Sequence, residues 1–387
     1  MGYLHWEIPR FSTEEGQRRH RRVRDLMKLK GIDCLIIAGH TGNYRSAAAD
    51  VRYISNFCPW FDDSYVVFPL EGEPILFVWS PGHGYWAKQV GWCAVRVSAM
   101  TREGRNYVED VAGRIKELGL ESVTLGLVST RTMPAYMYIG LRERLPHANF
   151  ASARDILLQC RAIKSAEEQE FLRKSAECAD EGFKAMAALA KPGVTEYELV
   201  AECESAMIKA GAETGNFILL GSGPWSKRES AIPIGGSARK LKDGDIILNE
   251  ITVSYGGYFT QLCRPISIGS PPDEFLELLE VHKGIYYLVL KELVPGNTVD
   301  KIEAKVKDFA SRRGDFRRVW ALQETELNEA AIPYRGEVKR GMAFVVHPWT
   351  VASSVRGHSG HIIGDTFIVR EGEPEALSRL PLEVSVV

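Results

Sequence analysis

A polar, Arg-rich helical pattern runs from Thr13 to Lys30 and stops at Gly31. The apolar run Asp33-Cys-Leu-Ile-Ile-Ala38 follows directly, so a helix feeding a buried strand is expected. Further short apolar runs at Ser64–Phe68, Pro74–Trp79, Cys93–Val97 and Val123–Val128 predict strands, and the patterns at Tyr107–Leu118 and Met133–Arg144 predict helices. This alternation reads as an α/β domain over residues 1–160. The texture then changes. Ser165–Ala190 is a long helix former halted by Lys191-Pro-Gly193. Thr195 opens a second helix, with Glu198 placed to complete a capping box, and that helix closes at Gly211. Two more helices are expected at Asp273–Leu293 and Val299–Arg313, separated by Pro295-Gly-Asn297. Strands are expected at Asn216–Leu220, Asp245–Val253, Tyr258–Cys263, Met342–Val346 and His361–Val369. Residues 161–387 therefore read as an α+β domain, an antiparallel sheet with helices on one side.

Composition narrows the function without naming it. Among 387 residues, 45% are hydrophobic and 25% charged, as in an ordinary folded protein. Lys and Arg number 48 against 50 Asp and Glu, and no block of like charge stands out, which gives no support to a nucleic-acid or anionic-membrane partner. The seven cysteines are scattered, with no CxxC pair and no close His partner, and read as reduced buried thiols of a cytoplasmic protein. The first residues lack an apolar signal core, and no apolar run reaches the roughly 18 residues of a membrane span.

Four segments in order carry a family resemblance: RAIKSAEEQEFLRKSAECADEGF (161–183), KPGVTEYEL (191–199), LKDGDIILNEITVSYGGYFTQLCRPISIG (241–269), and RGMAFVVHPW with GDTFIVREGEPEALS (340–378). Together they resemble the creatinase, prolidase and methionine-aminopeptidase family. The resemblance implies a creatinase-like N-terminal α/β domain at 1–160 and an α+β pita-bread domain of catalytic type at 161–387.

Metallopeptidases of that family hold two metal ions with two Asp, one His and two Glu. At the matching positions this chain has Glu250 and Gln261 for the two Asp, and Trp320-Ala-Leu-Gln-Glu324 where a His-Gly-x-Gly segment belongs. It has Asn328 before Glu329 where the second family His is expected, His347 for one Glu and Gly364 for the last. No metal and no cofactor are therefore expected. Creatinase, the member that works without metal, is matched imperfectly as well. Its catalytic His falls in the loop 229–240, which has none, and its substrate-gripping Arg cluster corresponds to Cys58–Phe68, with Asp62 and Asp63.

The favoured reading is a metal-independent, creatinase-like hydrolase that cleaves a C–N bond in a small nitrogen-containing molecule by acid–base catalysis. The alternatives are a metallohydrolase or Xaa-Pro peptidase-like enzyme with non-standard ligands, and a catalytically silent binding module. His347 and Glu250 are the expected acid–base pair, because imidazole titrates near neutrality and a carboxyl on an apolar strand is costly unless paired or used. For Glu250 the structural alternative is an ion pair with Arg264, and for His347 a hydrogen-bonded core histidine. Gln261 and Glu329 are expected to bind substrate. Tyr258, three residues from Gln261 and hence on the opposite strand face, is expected to be structural. Trp60, Phe61 and Asp62 are expected to form a lid, which the resemblance places over the partner subunit's pocket in a homodimer. His358 and His361 invite a zinc reading with His347, against which strand parity argues. The acidic stretch Gln323–Glu329 reads as a solvated face apart from Glu329.

Overall fold

The computed structural model describes residues 10–40, 48–59, 63–102, 104–214, 216–225, 235–314, 316–326, 329–332, 334–352 and 360–387, and at 317, 320, 326, 329–332, 352, 360 and 361 the backbone alone. The chain separates into two compact units, Met1–Ala162 and Ile163–Val387.

The first unit is built on a six-stranded mixed sheet. Its order is Ala94–Val97, Ile75–Val78, Ser64–Pro69, Cys34–Gly39, Thr124–Val128, Asn149–Ser152. Cys34–Gly39 lies at the centre, antiparallel to Ser64–Pro69 and parallel to Thr124–Val128, and all six of its residues are buried, as an unbroken apolar run requires. The helix Thr13–Lys30 begins at a Ser12 cap and ends at Gly31, whose φ of 63° is the left-handed closure that glycine supplies without strain. Three helices lie outside the sequence expectation: Ala49–Ser55, Pro81–Val90 and Arg154–Ala162.

In the second unit, both capping boxes form. Ser165 and Glu168 start the helix Ala166–Leu189, and Thr195 and Glu198 start Glu196–Lys209. Each box satisfies backbone N–H groups that the first turn leaves open. Two sheets, rather than the single sheet expected, follow. One contains the hairpin Asp245–Tyr255 and Tyr258–Leu262, continued in the same register by Ile266–Ser267 with Ser385–Val386 beyond it, and Phe217–Pro224 lies on the other edge of the long strand. The other runs Glu329–Ile332, Phe316–Glu326, Ala343–Ala352, Asp365–Ile368, Glu375–Ala376, and Gly360–His361 also pairs with Ala343–Ala352. The helices Ala166–Leu189 and Glu196–Lys209 share a core with the first sheet, through Ala179, Phe183, Met186 and Leu199 against Ile247, Ile251, Val253 and Leu262. The helices Asp273–Glu292 and Val299–Ser311 contact the second.

The acidic stretch at 323–325 is not the solvated face expected of it. It belongs to the strand Phe316–Glu326, Glu324 and Thr325 are buried, and Glu324 Oε1 lies 3.7 Å from Nζ of the buried Lys164. Sheet pairing on both edges, not local polarity, decides the burial here.

Candidate active site

The hairpin sorts its side chains by parity. In Asp245–Tyr255 the odd positions Ile247, Ile251 and Val253 pack into the helix-covered core, so Glu250 and Thr252 point to the other face. The return strand pairs Ile251 with Leu262 and Thr252 with Gln261. One step further along that register, Cys263 stands opposite Glu250. Glu250, Thr252, Gln261 and Cys263 thus share one face. Tyr258 and Thr260 share the other, where the Tyr258 hydroxyl donates to Glu168 Oε1 at 2.6 Å and Thr260 meets Ser175 at 2.9 Å. Tyr258 is structural.

The two sheets join at this point. Cys263 and Gly364 form an antiparallel bridge, with Cys263 N–H donating to Gly364 O at 2.9 Å and Gly364 N–H returning to Cys263 O at 3.1 Å. On the neighbouring strand Val346 pairs with Asp365, which brings His347 beside Gly364. Arg264 secures the junction. Its guanidinium donates to the carbonyls of Cys263 and Gly364 and to both carboxylate oxygens of Asp365, at 2.8 to 3.0 Å. Tyr286 donates to the same carboxylate.

Gly364 is glycine for steric reasons. A Cβ there would lie 2.6 Å from His347 Cβ, 3.2 Å from His347 Cα and 3.3 Å from Cys263 Sγ. Gly364→Ala should therefore destabilise the protein by about 1–3 kcal/mol and move His347. Urea denaturation checks this; an unchanged midpoint would show that the strands yield without cost.

Glu250, Cys263 and His347 converge, with their carboxylate oxygen, sulfur and ring nitrogen atoms all within 4.8 Å of one another and all three residues buried. Gln261 Nε2 donates to Glu250 Oε1 at 3.1 Å. Removal from water pushes the Glu250 carboxyl up from an ordinary 4.5 to about 7. Burial, helped by the nearby Glu250 charge, pushes the Cys263 thiol well above its usual range, so it stays protonated in the free protein at neutral pH.

This arrangement does not fit a pair of metal ions held by five ligands. The amide of Gln261 is neutral and cannot offset metal charge as a bridging carboxylate does, and Gly364 has neither a ligand atom nor room for a larger side chain. Carboxylate, thiol and imidazole at such close range do form a donor set suited to one zinc-like ion.

The structure brings together three of the residues expected from sequence, Glu250, Gln261 and His347, and adds Cys263, one of the scattered thiols with no His close in sequence. The ion pair considered for Glu250 is absent, since Arg264 pairs with Asp365 instead. The expected continuous strand His361–Val369 is broken into Gly360–His361 and Asp365–Ile368. Trp60, Phe61, Asp62, Asn328 and His358 lie outside the described residues, and for Glu329 and His361 only the backbone is described. Asp63, next to the expected lid, is held within its own domain: its carboxylate accepts from Tyr65 at 2.8 Å and from Tyr136 at 3.2 Å.

The fold is that of a creatinase-type N-terminal domain followed by a pita-bread domain. The chain belongs to metallopeptidase family M24. The profile of that family matches residues 170–371, and that of the creatinase/prolidase N-terminal domain matches residues 19–163. Creatinase from Bacillus sp. (strain B-0618) is 25% identical over 393 residues, spanning 96% of this chain and 92% of that protein. The probable dipeptidase PepE of Mycobacterium tuberculosis (strain ATCC 25618 / H37Rv) is 29% identical over 343 residues, 83% of this chain and 85% of its own. The crystal structure of an X-Pro aminopeptidase from Thermotoga maritima superposes with a TM-score of 0.81 at 22% identity, covering 95% of this chain and 99% of the other, a likeness of fold. Among the described residues no helix is long and apolar enough to cross a membrane.

Proposed function

We propose that the protein hydrolyses a C–N bond in a small nitrogen-containing molecule by acid–base catalysis, with Glu250 and His347 moving the protons and without the paired metal ions of the family's peptidases. The observation that carries this reading is Glu250 itself, a buried carboxyl held near pH 7 beside an imidazole, at the centre of the pita-bread domain. A carboxyl with that acidity is a competent base at neutral pH, where an ordinary one would be too weak. Glu250 takes a proton from water, and the resulting hydroxide attacks the carbon of the C–N bond. His347 in its imidazolium form gives a proton to the departing nitrogen as that bond breaks. Proton exchange with solvent then restores both groups. The similarity to creatinase over nearly the whole chain is in keeping with a small-molecule substrate, and that to the dipeptidase PepE with a peptide.

A second reading rests on the same cluster: a metallohydrolase in which Glu250, Cys263 and His347 hold a single metal ion. One experiment separates the two. Protein dialysed against chelator is analysed for bound metal and assayed on small amides, ureas and guanidines. The first reading predicts substoichiometric metal and undiminished turnover. One tightly held equivalent of zinc, with activity lost on its removal and restored on its return, would establish the second.

A further inference from the structure

Two side chains on the hairpin face have polar atoms that no described residue satisfies. Thr252 is 1% exposed and Gln261 5%, yet among the described residues Thr252 Oγ1 and Gln261 Oε1 have no hydrogen-bond partner. Each lies on the Glu250 side of the sheet, and the two stand directly opposite each other in the register. The orientation of the Gln261 amide follows from its neighbour. Its NH2 group donates to Glu250, which turns the carbonyl oxygen away as a pure acceptor. A third such atom comes from the facing sheet. Gln323 pairs with Val345, which shares its strand face with His347 two residues on, so Gln323 projects to the same side as His347. Its Oε1 is also shielded from solvent and unpartnered. Buried polar atoms are ordinarily paired, and two amide oxygens and a hydroxyl on the strand faces that carry Glu250 and His347 call for a ligand that brings N–H donors.

We infer that Gln261, Thr252 and Gln323 form a subsite for a neutral N–H-bearing group, a ureido, carboxamide or lactam function, and select it over a guanidinium or amidinium cation. The subsite deepens the hydrolase reading above and rests on it for the identity of the bond cleaved. Amide oxygens accept from neutral N–H without carrying charge. A buried cation would instead need carboxylates to compensate it; Glu250 on this face already accepts from the Gln261 amide, and the position opposite Thr252, where a second carboxylate would serve that end, holds glutamine. Gln261 and Thr252 therefore act as specificity residues, set beside the proton-moving pair.

Matched pairs that differ only by oxygen against NH2⁺ test this. Binding of N-methylurea and imidazolidin-2-one is compared with that of methylguanidinium and 2-iminoimidazolidinium by ligand-observed NMR at pH 7.5. The wild-type protein should prefer the ureas, and Gln261→Glu should shift the preference toward the guanidinium partners by about ten- to a hundredfold, the range of one charge-assisted hydrogen bond. Thr252→Val, which keeps the shape and removes the hydroxyl, should raise the melting temperature of the free protein while weakening urea binding. A wild-type preference for the cations, no binding of either series, an unchanged ratio in Gln261→Glu, or a lower melting temperature in Thr252→Val would each overturn the assignment. Ureas bound in the predicted order but never hydrolysed would leave the subsite standing and remove the hydrolase reading. Turnover of ureas and guanidines alike, with the ratio unmoved in Gln261→Glu, would do the reverse.

Discussion

Glu250→Gln should be more stable than the wild-type protein above pH 7, by on the order of 3 kcal/mol. The sign follows from the direction of the shift. The folded-state carboxyl titrates at about 7 and the unfolded one near 4.5. Below the lower value both states carry the proton and the group is neutral with respect to folding. As pH rises between the two, the unfolded chain gives up its proton while the folded protein must keep it or bury a charge. Stability is therefore lost progressively up to the folded-state value and stays lost above it. Glutamine is nearly isosteric and does not ionise, so it removes that penalty. Chemical denaturation at pH 4 and pH 8 checks this: the variant and the wild-type protein should be similar at the lower pH and diverge at the higher. Equal stability at pH 8 would show that Glu250 ionises there without strain. A site that stores such a penalty needs a functional reason for it, because substitution could relieve it easily.

His347→Ala should turn over substrate about 10²- to 10⁴-fold more slowly, the usual worth of a positioned general acid or base. Binding should change far less, since the lost step is proton transfer to the leaving nitrogen and the urea-binding groups are elsewhere. A substrate whose leaving group needs no protonation should be much less affected, which separates this role from a packing defect. The ring is 2% exposed, so folding of the variant is checked by circular dichroism first. Wild-type turnover in a folded His347→Ala protein would leave His347 as a core histidine and favour a silent binding module.

Much of the architecture was legible before the structure, where a residue type has a local mechanism. Ser165 with Glu168, Thr195 with Glu198, and Gly31 each end a helix by their own chemistry, and each helix ends where they stand. Ser80 followed by Pro81 is a helix start of the same kind, with the Ser80 side chain accepting from His83 N–H. The helix Ala49–Ser55 has no side-chain cap and a buried rather than amphipathic face, so nothing local announces it.

The candidate site was half legible. Family resemblance located Glu250, Gln261 and His347, and strand parity separated Gln261 from Tyr258. The same arithmetic holds further information. Tyr255 pairs with Tyr258 around Gly256-Gly257, and a two-residue turn fixes every later pair, so Cys263 must face Glu250 and Arg264 must face away from it. Carrying the register through would have found the thiol and excluded the Glu250–Arg264 ion pair from sequence alone. Gln323 and Glu324 were not reachable in that way. The register of their strand shifts between Trp320 and Leu322, and their burial depends on a sheet assembled from segments distant in the chain.

The most direct test of the acid–base assignment is the turnover of Glu250→Gln beside the wild-type protein, both stripped with chelator and assayed at pH 7. The account predicts an active wild-type protein and a variant slower by about 10²- to 10⁴-fold, although the variant is the more stable of the two. Turnover by Glu250→Gln at the wild-type rate would contradict it.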